Sequence, residues 1–197
     1  MPRLASLVVT LASGCGTYSF VRPAHTLPAG KVEVALGVAA SSVEANTVAH
    51  LAVGLGGGFE VLAQNEVWNT FGELRYQVLK GGDVDLTVGA GLGYAVTLVS
   101  AIDTSTDDEY DSNEGGAGMV SISAGHRWDK VSLTVGHRSM FLDGGYLAAS
   151  TRLSFRALLA GSLGILLEGG ATLHAPLDTL DAAITMPEGT LGFFVGF

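Results

Sequence analysis

The chain is poor in cysteine, in charge and in long apolar runs, and each shortage excludes something. Cys15 is the only cysteine in 197 residues, so no disulfide can form within the chain and no thiolate metal centre can be built. Charged residues make up 15% of the chain, against about 25% in an ordinary soluble domain. Positive charge is scarcest: 10 Lys and Arg stand against 19 Asp and Glu, a net charge of −9. Phosphate recognition needs a basic surface, so nucleic acid is not an expected partner. No apolar stretch reaches the ~18 residues of a membrane-crossing helix. That leaves one way to span a bilayer, a closed barrel whose strands satisfy each other's backbone groups and need only alternating segments of about ten residues.

Alternation is what the sequence has instead. From Lys31 onward apolar residues recur at every second position, the strand period. Val32, Val34, Leu36 and Val38 oppose Lys31, Glu33 and Ala35, and Leu74, Tyr76 and Val78 oppose Glu73, Arg75 and Gln77. A long segment from Val84 to Leu98 repeats the pattern, and the last runs through Leu191, Phe193, Val195 and Phe197. The length suits one domain. The fold predicted is all-β, a transmembrane antiparallel up-and-down barrel of about ten strands, with eight as the alternative.

Loop lengths test the strand count independently. With the first strand leaving the periplasm, the short connections near 56–58, 80–82, 129–130 and 157–160 all fall on the periplasmic side. The long ones, near 100–116 and 174–188, both fall outside. Short periplasmic turns with longer outer loops are the habit of such barrels, and one miscounted strand in the middle would break the parity. The final residues, with Phe193, Val195 and terminal Phe197 in alternation, resemble the C-terminal assembly signal of bacterial outer-membrane barrels. That resemblance implies the barrel-assembly machinery as a partner, and outer-membrane lipid and lipopolysaccharide as the surroundings.

At the other end, Arg3 precedes an apolar run from Leu4 to Ala12, the outline of an export signal. The run Leu11-Ala12-Ser13-Gly14-Cys15 resembles a bacterial lipoprotein box, and the resemblance implies lipidation at Cys15. The expected organisation is therefore a signal peptide over 1–14, an extended linker over 15–30 anchored at Cys15, and the barrel over 31–197. Pro23 and Pro28 give the linker its extended character.

In such a barrel the apolar faces meet lipid. A Lys or Arg facing lipid at mid-membrane costs about 2–4 kcal/mol, so the charges on the opposite faces belong inside. These are Glu33, Glu60, Glu73, Arg75, Asp85, Arg127, Arg138, Arg152, Arg156 and Glu168. An interior this narrow is filled by side chains, and buried charges need partners. An ion-paired plug is therefore predicted, with Arg75 and Glu73 near its middle, in preference to a narrow conducting path.

Two segments carry chemistry to weigh. Asp103 to Glu114 reads DTSTDDEYDSNE. Its carboxylates could hold Ca²⁺, but without the spaced pattern and glycine of an EF-hand it reads as a solvated outer loop, and no metal or other cofactor is expected. His137-Arg138-Ser139 resembles the His-x-Ser motif of outer-membrane lipid A deacylases, although Met140 stands where that family usually has Asn. The resemblance implies His137 as general base and Ser139 as nucleophile, on the outward face toward the outer leaflet. His126 and Trp128 read as girdle residues at the periplasmic interface. The leading expectation is a non-enzymatic outer-membrane barrel of structural, adhesive or narrow-channel role. The alternatives are a lipid-modifying hydrolase, and a soluble periplasmic barrel that would turn its apolar face inward around an apolar ligand.

Overall fold

A computed structural model describes residues 22–42, 45–66, 69–98, 112–177 and 183–197, with backbone alone for 96–98 and 112–114. Ten strands follow one another: β1 (Val32–Ser41), β2 (Ala45–Gly56), β3 (Phe59–Glu66), β4 (Asn69–Leu79), β5 (Asp85–Leu98), β6 (Ser112–Trp128), β7 (Val131–Leu142), β8 (Tyr146–Ala160), β9 (Leu163–Pro176) and β10 (Ile184–Gly196). Each pairs antiparallel with its sequence neighbours, and β1 pairs with β10 to close the barrel. The seam sets Val34 against Val195 and Leu36 against Phe193. Phe197 completes it, with N–H to Val32 O at 2.8 Å and its own carbonyl accepting from Val32 N at 3.2 Å.

The strand period becomes two surfaces. Leu36, Leu92 and Phe193 are 60%, 76% and 56% exposed on the outer wall, whereas Glu60 and Arg152 on the inner face are at 0% and 1%. A soluble barrel around an apolar ligand requires the reverse arrangement. All four short turns lie at one end, here the turn end, together with the start of β1 and the close of β10. The opposite ends of the strands, among them Ser41, Glu66, Leu98, Leu142 and Pro176, lie at the other end, the loop end.

Some boundaries differ from the sequence reading. The turn expected at 157–160 is at Gly161-Ser162, because β8 continues to Ala160 through a register irregularity between Leu158 and Ala160. Gly161, with φ +55°, carries the reversal. The acidic stretch is shorter as a loop than expected: Ser112 to Glu114 already pair with Leu98 to Val96. The rest of it, 103–111, lies outside the described residues.

The lumen has two halves. Toward the loop end, Phe71, Ala95, Ala117, Met119, Met140, Leu142, Tyr146 and Ala148 form a buried apolar cluster. Inward Gly89, Gly91 and Gly93 on β5 make room for it: a Cβ at those positions would overlap the Glu73 carboxylate, the Met119 methyl and the Phe71 ring respectively. Toward the turn end the lumen is charged. Residues 22–27, read from sequence as part of a linker, pack inside this half, with Arg22 at 3% exposure, while Pro28 and Ala29 are exposed at its mouth.

Candidate functional site

Alternation on six strands, β1, β3, β4, β7, β8 and β10, brings the inward charges together across the lumen. Arg75 on β4 donates to Glu60 on β3 at 2.7 Å and to Ser123 Oγ on β6 at 3.0 Å. Its Nε stands 3.9 Å from Glu73, so Glu60 is its main partner rather than the neighbour two residues away. Glu73 is held by Arg138 at 3.1 Å and by the Ser121 hydroxyl. Arg156 on β8 reaches Glu33 on β1 at 2.5 Å and lies over the Phe194 ring, 3.9 Å from its centroid. Arg152 pairs with Glu188 on β10, whose other support is the Thr172 hydroxyl at 2.8 Å. Glu188 was not singled out in the sequence, because it sits among the expected outer-loop residues.

The remaining expected interior charges are placed as follows. Glu168 is buried on β9, and Asp85 is half-buried near the turn end, where it accepts from Gln77 Nε2 at 2.9 Å. Arg127 is exposed at the turn-end mouth.

Arg22 is the feature that periodicity could not reveal. Its guanidinium takes both oxygens of Glu60, at 3.1 and 2.6 Å, and also pairs with Glu33. Burial opposes its charge, but those two carboxylates outweigh burial and hold it more firmly protonated than in water. His25 has no such support. Burial, then the charges of Arg127, Arg22 and Arg156, push it down to about 3, so it is neutral in the lumen. The one available sequence signal was a lone cation, Arg22, beside a proline in an otherwise uncharged stretch.

The outer wall holds a second polar group. His137 Nε2 lies 2.9 Å from Ser139 Oγ, and Nδ1 lies 2.8 Å from the Thr151 hydroxyl on β8. The register sets His137 directly beside Thr151. All three residues are on the outward face, and His137 is the seventh of the twelve residues of β7 rather than near its outer end. One ring nitrogen can thus accept from Ser139 while the other donates to Thr151. His126 and Trp128 are also outward, ring against ring with centroids 4.6 Å apart. Phe193 is on the outer wall and Phe197 is exposed at the turn end. Cys15 and the segment before Arg22 lie outside the described residues. Among the described residues no group of three or more His, Cys, Asp or Glu could hold a metal.

The fold and its faces define a class: a closed antiparallel barrel with an apolar exterior and a lumen filled by ion pairs and apolar side chains. No protein family and no curated protein matches the chain. Among solved structures it is similar to OmpT, an in-vitro folded outer membrane protein of Vibrio cholerae, at 6% identity and a TM-score of 0.28 over 85% of this chain and 97% of that one. It is also similar to Neisserial surface protein A, at 12% identity and a TM-score of 0.19 over 85% of this chain and 95% of the other. The assignment of fold rests on the strand pairing itself.

Proposed function

We propose that the chain is a non-conducting outer-membrane β-barrel with a structural role, its turn end toward the periplasm and its loop end outside. The supporting observation is the filled lumen. Arg22, Glu33, Glu60, Arg75, Glu73 and Arg138 are bonded to one another from four strands and the entering segment. A path for ions would have to break pairs that low dielectric strengthens. Outer-membrane residence is supported by the band of exposed Leu, Val, Ile and Phe around the wall. Lipid and lipopolysaccharide contact that band, the assembly machinery reads Phe193, Val195 and Phe197, and Cys15 carries a lipid anchor. Fractionated from an outer membrane, the protein should migrate on gels in a heat-modifiable way and give no steady current in a planar bilayer. Steady conductance that changes with Arg75→Ala would overturn the reading. Fatty-acid labelling equal in wild type and Cys15→Ala would remove the anchor.

A second reading is favoured by one observation, the hydrogen-bonded His137, Ser139 and Thr151 on the lipid-facing wall. Ser139 Oγ would attack the carbonyl carbon of a fatty-acyl ester while His137 Nε2 takes its proton. The proton then passes to the departing alkoxide, and water later releases the acyl group from Ser139 as a free acid. Thr151 would fix the ring by accepting from Nδ1, the place a carboxylate takes in the usual triad. Release of an acyl chain from lipid A, abolished by His137→Ala, supports this activity; an unchanged lipid A profile between wild type and variant removes it.

A further inference from the structure

Residues 22–27 sit in the lumen in the manner of a bound peptide, and Pro28 and Ala29 lead out of its mouth to β1. Apart from Arg22 and the Thr26 hydroxyl, the wall holds them by their backbone. Arg75 donates to Pro23 O at 3.0 Å and the Thr87 hydroxyl donates to Ala24 O. Gln77 Oε1 accepts from Thr26 N–H at 3.2 Å, and Glu60 accepts from Leu27 N–H at 3.0 Å. Main-chain bonds supply affinity for any extended peptide, and side-chain pockets supply selectivity. Here the selective contact is the doubly paired guanidinium of Arg22. β2 is shaped for the arrangement: a Cβ on Gly54 would overlap the Pro28 carbonyl oxygen where the segment crosses it.

Two further observations indicate that the segment is exchangeable rather than part of the core. If it leaves, Glu33 keeps Arg156 at 2.5 Å and Glu60 keeps Arg75 at 2.7 Å, both carried by strands. No wall carboxylate is left alone, so withdrawal avoids the large cost of a buried unpaired charge. The segment is also flanked by two cavities, of about 240 and 630 Å³, that share His25 and Arg127 in their linings. A core element would be close-packed on both sides.

We propose that the turn-end half of the lumen is a peptide-binding site, occupied in cis by residues 22–29 and open to an extended, arginine-led peptide from solution when that segment withdraws. The hinge is at Gly30, with φ +74°, bonded through its N–H to Gly54 O at 2.8 Å. Arginine in the incoming peptide takes the Glu33 and Glu60 oxygens that Arg22 vacates. The site is independent of whether the lumen conducts or the outer wall has activity.

The test uses the full chain with a protease site inserted between Gly30 and Lys31, folded in detergent micelles, then cut and washed in high salt to screen the ion pairs. The probe is a fluorescent peptide, Arg-Pro-Ala-His-Thr-Leu-Pro-Ala-Gly, followed by anisotropy, with loss of the cut segment read by mass. The cut, washed barrel should bind it about tenfold or more tightly than the uncut one. Alanine in place of the peptide's arginine should lose about tenfold or more, the scale of a charge-assisted hydrogen bond. Should the cut segment remain bound, the uncut Arg22→Ala protein, with heat-modifiable migration as its check on folding, should take up the probe. Equal binding by uncut barrels and by cut barrels that have lost the segment, equal binding of the alanine peptide, or no uptake by a folded Arg22→Ala protein overturns the proposal.

Discussion

The two halves of one lumen are built on opposite principles. The loop-end half closes with Phe71, Met119, Met140, Leu142 and Tyr146, which exclude water by packing. The turn-end half closes with carboxylates and guanidiniums, which hold only because each finds a partner. The outer wall is alike over both, with exposed apolar side chains on every strand. The inner face is free to differ, and the difference separates a fixed half from one that can be vacated.

The comparison can be broken from either side. Glu60→Ala strikes hardest, since it removes the main partner of Arg75 and one of the two carboxylates on Arg22. A loss of about 3–5 kcal/mol is expected in urea unfolding from micelles, as for breaking a buried pair. Met140→Ala opens a cavity in the apolar half and should cost about 2–4 kcal/mol in the same assay. If it costs more than Glu60→Ala, the charged half is the less critical one. Acidification should loosen the docked segment at the turn end. His25 is held at about 3 in the lumen and returns to about 6.5 when released. The docked state therefore binds fewer protons, and its stability is full above about pH 6.5 and falls toward pH 3, by up to about 1.4 kcal/mol per pH unit. Protease cleavage within 22–29 should rise over that window while the barrel stays folded, and His25→Ala should flatten the response. Ser139→Ala on the outer wall should change stability by less than about 1 kcal/mol, since it removes one exposed hydrogen bond.

How much of this was legible follows from the same contrast. Alternation puts Glu33, Glu60, Glu73, Arg75, Arg152 and Arg156 on the faces opposite the apolar residues, and in the structure all six are buried. The partner of each charge was not legible. Arg75 bonds Glu60 across a strand pair rather than Glu73 along its own strand, and register is invisible in a single strand. Thr151 could not be found either: it meets His137 only through the pairing of β7 with β8. Residues 22–29 escaped because a segment held by its backbone leaves no side-chain period to read. The inward methionines Met119 and Met140 were overshadowed by the stronger apolar pattern on the opposite face.

The inward glycines of β5 have a consequence for how this sequence can drift. Space beside Gly91 belongs to the Met119 methyl, and space beside Gly93 belongs to the Phe71 ring. A Cβ at 91 would also meet the Gly72 carbonyl oxygen, and one at 93 the Thr70 carbonyl oxygen, both on β4, so trimming Met119 or Phe71 alone would not admit a side chain. In descendants of this chain, positions 91 and 93 should therefore stay glycine whatever side chains come to stand at 119 and 71.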